Sequence, residues 1–121
     1  VITVKIVRDD SRRVTGVFMS GHAGYAKEGS DIVCSAASTL VYTLANSIET
    51  ICGVPAEDIS RMTDDEEAPQ AEVIIPYDRL PDEATRQRAA VVAETIHTGF
   101  VTLASGANEG GKKYIKLVED N

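Results

Sequence analysis

Within GHAGYAKEGSDIVCSAAS, residues 21–38, a histidine and a cysteine stand twelve positions apart, His22 before Cys34. They are one of two histidines and one of two cysteines in a chain of 121 residues. A cysteine attacks a carbonyl carbon as its thiolate, and an imidazole within hydrogen-bond reach activates the thiol and can later protonate the leaving group. Cys34 falls in what the pattern predicts to be the opening turn of a long helix, where unpaired amides and the positive end of the macrodipole favour an anion. His22 stands at the end of an expected strand. The residues alone leave a second reading open, because a free cysteine in an apolar helix is commonly inert core.

The neighbours bear on that choice. Gly21 and Gly24 flank His22 with residues that allow unusual dihedrals and close backbone approach, and the intervening loop is long enough to cover a bound peptide. Ser38 lies one helical turn after Cys34; it either hydrogen-bonds near the thiol or substrate, or serves as a small packing residue. Asp31 either orients His22 as a third member or caps the helix, a role Ser30 can also take. The backbone amides of Cys34 and Ser35 are candidates for an oxyanion hole. Such a set performs acyl transfer without a metal or cofactor.

These groups need elements to hold them. ITVKIV and VTGVFMS alternate apolar and polar residues around the turn residues DDSRR, which predicts a hairpin. From Asp31 to Cys52, Val33, Ala37, Leu40, Val41, Leu44, Ala45, Ile48 and Ile51 recur at helical spacing, and Gly53 and Pro55 stop the run. Asp31 and Glu49 are that segment's only charges, which predicts burial on most of its faces. DISRMT and AEVIIPY read as a second hairpin around the acidic turn DDEEAPQ, a solvated tip. A second helix is expected over Asp82 to Ser105, with Ala89, Val92, Ala93, Ile96, Phe100, Leu103 and Ala104 as its stripe, before a closing edge strand YIKLVE. The order ββαββαβ predicts an α+β two-layer sandwich in one domain, 1–121, with a mostly antiparallel sheet covered by two helices.

Composition excludes other chemistry. Apolar residues make up 43% of the chain and charged residues 26%, values of an ordinary soluble domain, and no apolar run approaches the roughly 20 residues that span a bilayer. A cytoplasmic protein without membrane partners is expected. The formal net charge of −7 argues against direct binding along a nucleic-acid backbone. Cys34 and Cys52 on one helix would be about 27 Å apart, far beyond the ~7 Å a disulfide tolerates. Two cysteines without CxxC spacing and two distant histidines make a poor zinc set, so no metal or cofactor is expected. GANEGGK lacks the P-loop spacing, and CSAASTL has no arginine to clamp a phosphate. His97 reads as a packed or boundary histidine and Cys52 as a structural thiol.

The GHA triplet ending the second strand, the glycine-rich loop, DIVC opening a helix and a serine four positions after the cysteine together resemble the ribosomal-processing cysteine protease (Prp) family. The N-terminal VITVKI strand, the element order and the length suit that family over essentially the whole chain. The resemblance implies a cysteine endopeptidase that removes a short N-terminal extension from a large-subunit ribosomal protein, number twenty-seven in its series. It implies Cys34 as nucleophile, His22 as general base, and Gly21, Asp31 and Ser38 as supporting residues. It also implies a small α+β homodimer whose His-to-Cys loop moves when the ribosomal protein precursor binds. Ser35, where the family commonly has alanine, and Gly24-Tyr25, where relatives carry more polar residues, are departures; Tyr25 bears on substrate fit. The competing readings are a non-enzymatic ribosome-assembly or interaction factor with a structural Cys34, and a redox-sensing thiol, which here lacks a resolving cysteine.

Overall fold

A computed structural model describes residues 1–21, 30–63 and 70–120, and the side chains of Ser30 and Asp31 lie outside it. The strands are β1 (Ile2–Arg8), β2 (Val14–Ser20), β3 (Ser60–Thr63), β4 (Gln70–Ile74) and β5 (Ile115–Asp120). The helices are α1 (Ser30–Cys52), the single turn α2 (Ala56–Ile59) and α3 (Glu83–Ala107). The strands form one sheet in the order β3-β4-β2-β1-β5. β1 with β2, β2 with β4 and β3 with β4 are antiparallel, whereas the edge strand β5 runs parallel to β1. The α+β class and the mostly antiparallel sheet agree with the sequence reading.

Both hairpins form, but the helices also act as crossovers. From the pairings, β3 runs parallel to β2 and β5 parallel to β4, so α1 and α3 each link parallel strands that are not neighbours. The expectation of hairpins rather than βαβ units was therefore half the topology. Which strands become neighbours is decided by the pairing of apolar faces, and local periodicity does not encode it.

The period-2 pattern places Ile2, Val4 and Ile6 of β1, Val17 of β2, and Ala71 and Val73 of β4 in the buried layer. From above, α1 contributes Val33, Ala37, Val41, Leu44, Ala45 and Ile48, all buried, and α3 contributes Ala89, Ala93, Ile96 and Phe100. Each fully buried aliphatic side chain stabilises the fold by about 1.5–3 kcal/mol relative to exposure, which fixes α1 against the sheet. The helices meet closely where Leu40 sits over Gly99; a Cβ at Gly99 would come 2.8 Å from the Leu40 Cδ2.

Other expectations are corrected. α1 is not buried on most faces: Ile32 is 74%, Tyr42 49% and Ile51 45% exposed. Its exposed side carries Thr39, Thr43, Asn46 and Glu49, and Thr39 Oγ1 donates to the Ser35 carbonyl at 2.8 Å. β3 starts at Ser60, not Asp58, because α2 forms first: the Asp58 amide donates to the Pro55 carbonyl, and Ser60 Oγ donates to the Ala56 carbonyl. The second long helix starts at Glu83, its Asp82 carboxylate accepting the Thr85 amide at 2.8 Å as an N-cap.

His97 belongs to an ion cluster where β1, α3 and β5 meet. Its ring nitrogens lie 2.9 Å from Glu94 and 3.0 Å from Glu119. Arg8, its side chain only 10% exposed, donates two bonds to the Glu94 carboxylate and reaches Glu119. The Arg8 hydrogen bonds hold the Glu94 carboxyl below its ordinary value of 4.5. A carboxyl with a lowered folded-state pKa contributes stability that is complete above the unfolded value and is lost as pH falls through the folded one. In urea unfolding, the gap in midpoint between the wild type and Glu94→Gln is therefore expected to be widest near neutrality and to close below pH 4.5. A gap unchanged through strong acid would contradict this.

Candidate active site

The register of the first hairpin sets one wall of the site. Thr3 pairs with Ser20, so β2 ends beside the start of β1, and Gly21 follows against Val1. Gly21 has φ +91°, and a Cβ there would come 2.6 Å from the Val1 carbonyl oxygen. Both the left-handed backbone and the close approach require glycine. This turn fixes the direction in which the chain leaves β2 toward position 22.

α1 supplies the other wall. Ser38 and Val41 line a hollow together with Met19 of β2, Thr63 of β3 and Ala71 of β4, so the third and fourth turns of α1 lie over the site-side ends of these strands. Cys34 is one turn earlier, about 6 Å toward the helix N-terminus at 1.5 Å per residue. It is half-buried and packs against the core. Gly21 and Ser38 thus stand at the end of the sheet where β2 ends, and Cys34 is one helical turn from Ser38. His22, the loop 23–29 and the acidic turn over 64–69 lie outside the described residues, as does the Asp31 side chain, so their expected roles carry no geometry here.

The start of α1 at Ser30 changes two details. Ser30 and Asp31 fall within the first turn rather than at the position preceding it, and Cys34 opens the second turn. The amides of Cys34 and Ser35 then donate to the carbonyls four residues back, which removes them as oxyanion donors. Helical Cα–Cβ bonds tilt toward the N-terminus, so the Cys34 side chain leans over that first turn.

The remaining candidates stand elsewhere. Cys52, at the far end of α1, places its thiol 3.8 Å from the Thr85 carbonyl, and burial pushes it up from its ordinary value. Both cysteines are free thiols. A cleft of about 570 Å³ beside Asp9, Arg13, Asp78 and Arg86 is at the opposite end of the sheet. There Arg13 pairs with Asp9 and lies over the Tyr77 ring, and Arg86 pairs with Glu83. Among the described residues, no group of histidine, cysteine and carboxylate side chains can hold a metal ion, and no helix is long and apolar enough to cross a membrane.

With the site's frame established, comparison with known proteins identifies the family. The family model described as cysteine protease Prp matches residues 1–115. The chain belongs to that family. Two curated Prp relatives, each named ribosomal processing cysteine protease Prp and from two strains of Staphylococcus aureus, are 41% identical over 56 residues. That match covers 46% of this chain and 50% of theirs, so the chain spans about half the length of the curated relatives it matches. The crystal structure of the essential Prp protease from S. aureus in complex with a substrate peptide shares the fold, with a TM-score of 0.73 at 23% identity, over 99% of this chain and 100% of that one. The same S. aureus protease with a covalently linked product peptide gives 0.66 at 25% identity, over 99% and 100%. A Streptococcus mutans protein gives 0.75 at 22% identity, over 98% of this chain and 92% of its own.

Sequence reasoning missed the hollow beside Ser38. A signal for it existed: the chain's two methionines, Met19 and Met62, both line it. The frame itself is testable at Gly21. Gly21→Ala is expected to destabilise the protein by about 1–2 kcal/mol, the ordinary cost of forcing a left-handed backbone on an L-residue, measured by urea unfolding. An unchanged midpoint would show that the turn has no such constraint.

Proposed function

We propose that this chain is a cysteine endopeptidase that removes the N-terminal extension of a large-subunit ribosomal protein, number twenty-seven in that series. Its support is family membership together with the position of Cys34 in the early part of α1, one turn before Ser38 at the strand-end hollow. In this mechanism Cys34 Sγ attacks the scissile carbonyl carbon, and the C–N bond breaks as His22 protonates the departing amine. The thioester so formed is hydrolysed by a water that gives its proton back to His22, releasing the new carboxylate and the thiol. Backbone amides stabilise the developing oxyanion, and Asp31 and Ser38 support the pair. No cofactor takes part. The working unit is a homodimer of one-domain chains in the cytoplasm.

The S. aureus structures named for a substrate peptide and a covalently linked product peptide make a peptide the substrate class by analogy. A docking module with a structural Cys34 is the competing reading, and the half-burial of that thiol is its one support.

Incubation of purified protein with the ribosomal precursor, followed by mass spectrometry, separates the two. Cys34→Ala is expected to abolish cleavage, and His22→Ala to lower kcat/KM by about 10²- to 10⁴-fold, the usual weight of general acid-base catalysis. Full cleavage by either variant, or none by the wild type, would refute the proposal.

A further inference from the structure

At the end of the sheet away from Gly21, two carboxylates from different elements share two cations. Glu94 comes from α3 and Glu119 from the edge strand β5, and Arg8 of β1 and His97 of α3 lie between them. Arg8 donates from its terminal nitrogens to both Glu94 oxygens, at 2.7 and 3.1 Å. It reaches Glu119 through Nε at 3.3 Å and a terminal nitrogen at 3.2 Å, and the Arg12 carbonyl at 2.8 Å. These are the charged groups that face His97 from β1, α3 and β5; next along β5, Asp120 pairs with Lys5.

The imidazole is the member whose bonding pattern turns on a single proton. An ionised carboxylate accepts hydrogen bonds and donates none. His97 Nδ1 lies 2.9 Å from a Glu94 oxygen and Nε2 3.0 Å from a Glu119 oxygen, so both contacts are hydrogen bonds only while both nitrogens carry hydrogen. In that state two positive charges meet two negative ones. Without the Nδ1 proton a lone pair faces Glu94, and the donor that can answer it is the Arg8 terminal nitrogen 3.3 Å away, which already serves both carboxylates. Glu94 and Glu119 are then left to one arginine, and their repulsion acts across the seam between α3 and β5. The edge strand is the weak side of that seam, because its ladder is with β1 alone.

We propose that His97 is a proton-operated clamp: doubly protonated, it fastens the C-terminal end of β5 to α3, and loss of the Nδ1 proton loosens that end while the rest of the sheet stays paired. Histidine is the side chain that ordinarily changes charge between about pH 5 and 8. Binding the proton favours the fastened state, so fastening is complete on the acid side of that interval, where the carboxylates are still ionised, and weakens as pH rises through it.

Hydrogen exchange followed by NMR, corrected for the intrinsic pH dependence of exchange, tests this on the whole chain from about pH 5.5 to 8.5. Across that range the wild-type amides of residues 117–120 are expected to lose about 3- to 5-fold in protection relative to those of residues 44–48 in α1, the scale of a partly exposed ion pair. The ring-nitrogen NMR shifts of His97 should show two protonated nitrogens at the acid end, and the loosening of β5 should share their titration midpoint. His97→Gln, which cannot take up the proton, should hold β5 at the loosened level at every pH. Glu119→Gln, which removes one of the two carboxylates, should abolish the pH dependence. Protection that does not change with pH, a pH dependence that persists in either variant, or a midpoint different from that of the His97 ring would overturn the clamp. The pH response and the ring midpoint are both read on the wild type, so neither variant has to fold for the clamp to be refuted.

Discussion

The packing of α1 flat across the sheet is the contact on which the rest of the structure depends. Val33, Ala37, Val41, Leu44 and Ile48 bury one stripe of that helix in the core against β4 and α3, and small residues let the two long helices lie close, Leu40 against Gly99. Once that stripe is seated, the helix can neither rotate nor slide without exposing apolar surface worth several kcal/mol. Its N-terminal turns are thereby held over the ends of β2, β3 and β4. Cys34 is consequently placed by core residues that have no chemistry of their own.

The same stripe divides α1 into functionally different sides. Residues facing down make the core, and residues 38, 41 and 42 open onto the hollow. The outward side carries Ile32, Thr39 and Thr43 to water. An absence of charge on a helix is thus a weak sign of burial where threonine hydroxyls bond back to their own helix.

What was legible in the sequence was whatever a local period or punctuation encodes. The first hairpin, both long helices and their stops follow from alternation, 3.6-residue spacing and the Gly/Pro breaks, and all lie within a residue or two of expectation. The start of β3 was misplaced because the turn of α2 is closed by hydrogen bonds to the Pro55 and Ala56 carbonyls, which leave no periodic trace. The parallel pairing of β5 with β1 and the hollow were illegible for a shared reason: each joins segments far apart in sequence. Cys34 and Gly21 were legible as candidates, but the reason for Gly21, a left-handed backbone against the Val1 carbonyl, is tertiary. The oxyanion assignment to Cys34 and Ser35 fails because a helix containing Ser30 and Asp31 commits their amides to its own ladder.

The central claim is that Cys34 carries the acyl group of a cleaved peptide as a thioester. Cleavage of the ribosomal precursor in the presence of hydroxylamine tests it directly, because that nucleophile intercepts an acyl-enzyme even when it does not accumulate. Mass spectrometry of the released extension should then find a C-terminal hydroxamate, at a fraction that rises with hydroxylamine concentration, and no product at all from Cys34→Ala. Release of the free acid alone at every hydroxylamine concentration, or cleavage that persists without the thiol, would contradict the account.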